Sequence, residues 1–204
     1  MIKKPVFAQI ISAIFHPILW VFYILVWITF LYQTVFTEKK SLIIFLLISF
    51  FFSVGLPSVF LWILLRFKMI SSLLISNRKE RTLPLFVVGL SYFMIYQLFG
   101  SMALPSSFAL IFKGASYMVL LCMMITFFWK ISIHMLSIGG TIGFLMALGL
   151  QYNWLFPQVI LPMIFLSGII GYSRLRLNAH TPAQVYIGFI VGWLVMFFAF
   201  MFLN

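Results

Sequence analysis

The chain has 204 residues, 65% of them hydrophobic and 7% charged, with a mean hydropathy of +1.21. Soluble domains carry about 25% charged residues, so a water-facing globular surface is excluded and the bilayer is the natural solvent. Thirteen Lys and Arg against two acids give a formal charge of +11. With no soluble basic domain to use that charge, nucleic acid is excluded as a partner, and the excess marks cytoplasmic loops or a seat for an anionic headgroup.

A helix crosses the hydrocarbon core with roughly 20 apolar residues, and the period-2 alternation of a membrane barrel is absent. The expected class is all-α, a polytopic integral membrane helix bundle of six or seven transmembrane helices. It forms a single transmembrane domain over residues 1–204, of the kind found in a bacterial inner membrane. The first apolar segment, Phe7 to Phe36, comes just after Lys3 and Lys4. It is too long for a signal peptide and lacks a small-residue cleavage site, so it reads as a retained helix with an interfacial kink at His16-Pro17. The second, Ser41 to Phe67, carries Gly55 and Pro57, which predict a kink. A polar stretch from Lys68 to Thr82 comes next, holding Ser71, Ser72, Ser76, Asn77, Arg78, Lys79, Glu80 and Arg81. Segments from Leu83 to Phe99, Ser106 to Trp129 and Ile131 to Leu150 succeed it, then Trp154 to Tyr172. A basic loop, Ser173 to His180, leads to a last segment from Thr181 to Leu203. Gly139-Gly140 with Gly143, and Gly188 with Gly192, are small-residue spacings that let helices pack closely. The 26 Phe residues read as lipid-facing bulk, and Cys122, in an apolar run, as packing.

Seven crossings collect the basic residues on one side. Lys3, Lys4, Arg66, Lys68, Arg78, Lys79, Arg81, Lys130, Arg174 and Arg176 fall together, against Lys39, Lys40 and Lys113. Topology alone accounts for such a bias. Phosphate binding by some of these residues accounts for it equally, and then the bias no longer reports orientation.

Two of the three histidines lie on that basic side. One is in Lys130-Ile-Ser132-Ile-His134 and the other in Ser173-Arg174-Leu-Arg176-Leu-Asn178-Ala-His180-Thr-Pro-Ala-Gln184. The second string resembles the third signature of the type-2 phosphatidic acid phosphatase superfamily, the membrane lipid phosphatases and their vanadium haloperoxidase relatives. That signature is Ser-Arg, five residues, His, three residues, Asp. Ser173, Arg174 and His180 match, and Gln184 stands where the family has Asp. Ser132 and His134 resemble the second signature, Pro-Ser-Gly-His, with Ile131 and Ile133 in place of Pro and Gly. The first signature, Lys, six residues, Arg-Pro, is not matched literally. Asn77 to Pro84 occupies its place, is similarly charged and ends at a proline. The resemblance covers roughly residues 78–197, the expected lipid-phosphatase-like core.

The resemblance implies that His180 attacks phosphorus and becomes phosphohistidine. It implies that His134 protonates the leaving oxygen and that Ser132 donates to a phosphate oxygen. Arginine offers a planar fork matched to phosphate, so Arg174, with Arg78 or Arg81, forms the expected clamp, with Ser173 and Lys130 nearby. A helix starting at Thr181 adds backbone donors and a favourable dipole. Gln184, four residues after His180 on one helix face, orients the ring with its amide oxygen but brings no negative charge. Glu80 is the only acid on this side.

The chain has no Asp. Mg²⁺-dependent intramembrane prenyl transfer, which needs acidic metal ligands, is therefore excluded, and no Cys/His cluster suggests zinc. No metal and no cofactor is expected. The expected activity is metal-independent hydrolysis of a phosphate monoester or diphosphate on a membrane phospholipid or polyprenyl lipid. The alternative is a catalytically impaired homologue that binds phospholipid headgroups or a membrane partner. A transporter would need polar residues near the midplane, and segments three to seven offer few beyond Gln97 and Lys113.

Overall fold

In the computed structural model the described residues are 5–31, 35, 36, 38–72, 75, 77–153 and 157–202. Lys3, Lys4, Ser76, Trp154 and Leu203 lie outside them. Among the described residues the chain is helical and contains no strand. The helices are α1 (Val6–Ile14), α2 (Pro17–Leu31), α3 (Lys39–Phe50), α4 (Leu56–Arg66), α5 (Thr82–Gly100), α6 (Ser106–Phe128), α7 (Ile133–Gln151), α8 (Pro157–Arg176) and α9 (Pro182–Phe202). Six stretches are long and apolar enough to cross a membrane: Lys39–Arg66, Arg78–Gly100 and the four helices α6 to α9. The pair α1 and α2 makes a seventh if it counts as one span. The chain is thus a multi-pass membrane protein of the expected all-α class.

Two of the expected interruptions have a common cause. Proline has no N–H and cannot continue a helical ladder. The first segment stops at Ile14 and restarts at Pro17. In the second, Phe51–Gly55 forms a π turn joining α3 to α4, two residues before Pro57. Such a turn leaves carbonyls short of donors. Ser53 Oγ donates back to Ser49 O at 2.5 Å, and Ser91 Oγ of α5 donates to Phe52 O.

The chain divides into two compact units. The second comprises Ile18–Met123. Its interior is aromatic: Phe45 stacks on Phe99 at 4.9 Å and meets Phe108 at 5.1 Å, while Phe99 meets Phe112 at 5.7 Å. Phe99, Phe108 and Phe112 are fully buried. The reading of phenylalanine as lipid-facing bulk is therefore corrected. It holds for residues such as Phe128 and Phe165, but others fill the cores, where large rings bury the most area per residue. Cys122 is fully buried, a packing residue as expected.

The first unit comprises Met1–Pro17 and Met124–Asn204. The expected core 78–197 is thus divided, residues 78–123 going to the second unit. Its central element is α7. Of its most apolar window, 83% is buried, against 17% for α8. Residue numbers on α7 and α9 rise together along their contact, so the two helices run parallel, and α8 is the return crossing. The small-residue spacings explain the closeness. A Cβ on Gly139 would overlap the Phe189 carbonyl, one on Gly143 the Trp193 carbonyl, and one on Gly192 the Leu136 carbonyl. Lipid supplies no hydrophobic drive between helices, so backbone proximity and van der Waals contact hold such a pair. The result sets the starts of α7 and α9 side by side. There Ser132 N–H donates to Gln184 O at 3.2 Å.

Candidate functional site

The spacing from Ser173 to Gln184 has a local structural basis. The last turn of α8 includes Ser173, Arg174 and Arg176, so the expected loop 173–180 is helical through Arg176. The helix then closes with Ala179 N–H donating to Arg174 O at 3.1 Å and Asn178 N–H to Leu175 O at 2.9 Å. Asn178 is left-handed at φ 51°. This is the paired-bond stop in which Gly or Asn takes the left-handed position. Two residues after His180, α9 begins at Pro182 rather than Thr181. Thr181 caps it: its Oγ1 accepts from Gln184 N–H at 3.4 Å, and Gln184 Oε1 accepts from Thr181 N–H at 3.3 Å. Thr-x-x-Gln with Pro at the first helical position is a capping box. The two helix ends fix His180 in the short span between Arg174 and Gln184.

Gln184 Oε1 also lies 3.0 Å from His180 Nδ1. The Thr181 N–H pointing at the same atom identifies it as the amide oxygen, an acceptor only. His180 Nδ1 therefore carries the hydrogen, and in the neutral ring Nε2 holds the lone pair. Gln184 thus orients His180 as expected of it. It does so from inside a capping box whose Thr-x-x-Gln pattern was legible in the sequence and went unused there.

Ser132 is the N-cap of α7 at ψ 105°, but its side chain makes no capping bond. The hydroxyl is fully buried and has no hydrogen-bond partner among the described residues. An unsatisfied buried hydroxyl costs about 1–3 kcal/mol, so this position is kept at some cost to stability. His134, two residues on, is also buried. Its Nε2 donates to the Ser12 carbonyl at 3.0 Å. Arg174, His16 and His180 are all close enough to act electrostatically on the His134 ring.

Arg174 donates through Nη1 to Ser12 Oγ at 3.1 Å. Ser173, fully buried, donates its hydroxyl hydrogen to Ile169 O at 2.8 Å, so only lone pairs remain on it. Lys130 is half-buried just ahead of Ser132. One residue of the cluster, Ser12, escaped the sequence reading, and another, His16, was read there only as part of an interfacial kink. The His16 ring lies edge-on to His134 with centroids 5.7 Å apart, so the interfacial kink is also part of the cluster. The signal for Ser12 was its spacing from Ala8 on one face of a short apolar helix.

Arg78 and Arg81 belong to the second unit. Arg81 is buried and donates through Nε to Ile75 O at 2.9 Å. Glu80 Oε2 accepts from Ser71 N–H at 2.8 Å and Ser71 Oγ at 2.9 Å, and its Oε1 accepts from Asn77 Nδ2 at 3.3 Å. Neutral donors, rather than the neighbouring arginines and lysine, hold this carboxylate, and it staples its own loop. Within the first unit the cluster comprises His134, Ser132, Arg174, His180 and Gln184, with Ser12 and His16.

Chemically the cluster combines a guanidinium, a buried hydroxyl, a donor imidazole, an imidazole with an oriented lone pair, and the starts of two helices. Positive helix ends and a guanidinium suit an anion. No group of three or more His, Cys, Asp or Glu suited to a metal occurs among the described residues. No protein-family model, curated protein or solved structure matches this chain.

Proposed function

We propose that this protein hydrolyses a phosphate monoester or diphosphate on a membrane lipid, of phosphatidate or polyprenyl diphosphate type, without a metal. The observation that carries the reading is the orientation of His180. Its Nδ1–H donates to Gln184 Oε1, which fixes the tautomer whose Nε2 carries the nucleophilic lone pair.

In the first step Nε2 of His180 attacks phosphorus and the bond from phosphorus to the lipid oxygen breaks. The departing oxygen takes a proton from the His134 imidazolium, through Nε2. Arg174 and Ser132 stabilise the charge on the non-bridging oxygens. In the second step water attacks the phosphohistidine, His134 takes the water proton, the P–N bond breaks, and inorganic phosphate leaves. Imidazole as a group suits such paired transfers because its ordinary pKa lies near neutrality. The apolar exterior of α8 and α9 favours a substrate whose tail stays in the bilayer.

A second reading is favoured by two observations. Gln184 brings no charge to support an imidazolium, and Ser12 already accepts from both His134 and Arg174. A homologue that binds a phospholipid headgroup without turnover fits both.

The test is phosphate release from detergent-solubilised protein given phosphatidate or a polyprenyl diphosphate in the presence of EDTA. Turnover is expected, and a loss on the order of 10⁶-fold in His180→Ala, the scale of removing a nucleophile. Activity that survives His180→Ala sinks the nucleophile assignment. Phosphate binding with no turnover in the wild type selects the second reading.

A further inference from the structure

The carboxyl end of α1 presents its oxygens to the same donors that a phosphate would need. Ser12 lies in the last turn of α1. Carbonyls there run out of helical donors, and the helix dipole is at its negative end. Its carbonyl accepts from His134 Nε2 at 3.0 Å, and its hydroxyl accepts from Arg174 Nη1 at 3.1 Å. One residue thus supplies two oxygens on a partial negative charge, as a phosphate group would supply two.

The rest of α1 suits a movable part. Ala8 and Ser12 are buried, and α1 packs on α8. Val6, Phe7, Ile10 and Ile14 are all exposed, a continuous apolar stripe at helical spacing. In a membrane protein that stripe faces lipid. The chain leaves helical geometry at Phe15 and His16 and resumes at Pro17, whose missing N–H uncouples the α1 ladder from that of α2.

Building on the phosphate reading, we propose that α1 is a lipid-facing latch. Ser12 holds Arg174 and His134 as a surrogate for phosphate oxygens, and the phosphate group of a membrane lipid displaces it. The apolar stripe lets the helix end withdraw along the bilayer surface without exposing polar backbone to hydrocarbon.

The test compares full-length wild type, Ser12→Ala and Arg174→Ala in detergent, using inorganic phosphate and dioctanoyl phosphatidate as probes. Calorimetry reads affinity and hydrogen exchange reads α1. Removing a competing internal acceptor should tighten phosphate binding in Ser12→Ala by about fivefold, the scale of one hydrogen bond. Saturating phosphate should speed amide exchange across residues 6–14 of the wild type, a response lost in Arg174→Ala. Tighter binding of dioctanoyl phosphatidate than of free phosphate identifies the lipid as the displacing group. Equal binding leaves the latch in place but makes the free anion its trigger. If Ser12→Ala binds phosphate more weakly, or with unchanged affinity, the latch is overturned while the phosphate reading stands. Slower exchange of α1 on binding also overturns it. If neither wild type nor Ser12→Ala binds either probe, the phosphate reading fails and the latch with it.

Discussion

Gln184 carries four contacts: its side-chain oxygen to Thr181 N–H and His180 Nδ1, its main-chain N–H to Thr181 Oγ1, and its main-chain carbonyl to Ser132 N–H. The side chain was legible as a residue on the His180 face, because four positions on a helix share a face. Its capping role needed only the Thr-x-x-Gln pattern. Its carbonyl contact was not legible, since Ser132 is remote in sequence. An Asp at this position could keep the cap and orient His180 while adding a negative charge. A charge-assisted hydrogen bond is about twice as strong as a neutral one, and about 1.36 kcal/mol is a factor of ten in rate. If the proposed hydrolysis operates, Gln184→Asp should therefore raise phosphate release from lipid by about tenfold, with little change in thermal stability. Unchanged or lower turnover with a folded protein would show that the amide is already the best orienting group here.

At the scale of elements, the parallel pair α7 and α9 positions the chemistry. Gly139, Gly143 and Gly192 each lie where a side chain would overlap a backbone carbonyl of the partner helix. The spacings announced a close pair, but which helix received which glycine was a through-space fact. Gly192→Ala should cost about 1–3 kcal/mol by overpacking. It should also lower activity by pulling Ser132 away from Gln184, with both effects read by melting temperature and phosphate release. Gly168→Ala on α8, where a Cβ meets nothing within 4 Å, is the control. It should be neutral or gain up to about 1 kcal/mol from helix propensity. Equal melting temperatures for the two variants would remove glycine contact as the reason for the pairing.

For the whole molecule, the crossing number decides which residues share a water phase. Six stretches are long and apolar enough to span, and the bent pair α1 and α2 makes a seventh only if it counts as one span. With seven crossings the two chain ends face opposite sides. Compartment-sensitive reporters fused to each end of the full chain should give opposite signals. Matching signals would mean that α1 and α2 together do not complete a crossing, and α1 would then lie along the surface.

The sequence by itself determined that this is an all-α, multi-pass membrane protein, that two histidines come after basic or hydroxyl residues at telling intervals, and where the proline breaks fall. Those properties come from hydropathy and from spacing within one helix or turn, which are local. Only the tertiary structure decided that α7 and α9 are parallel backbone neighbours, that Ser132 is buried with its hydroxyl unused, and that Ser12 and His16 belong with His134 and Arg174. It also placed Arg78 and Arg81 in a separate unit from that cluster. Each of these depends on groups far apart in the chain meeting in space, and a pattern of types along one chain does not encode which distant partner a side chain meets.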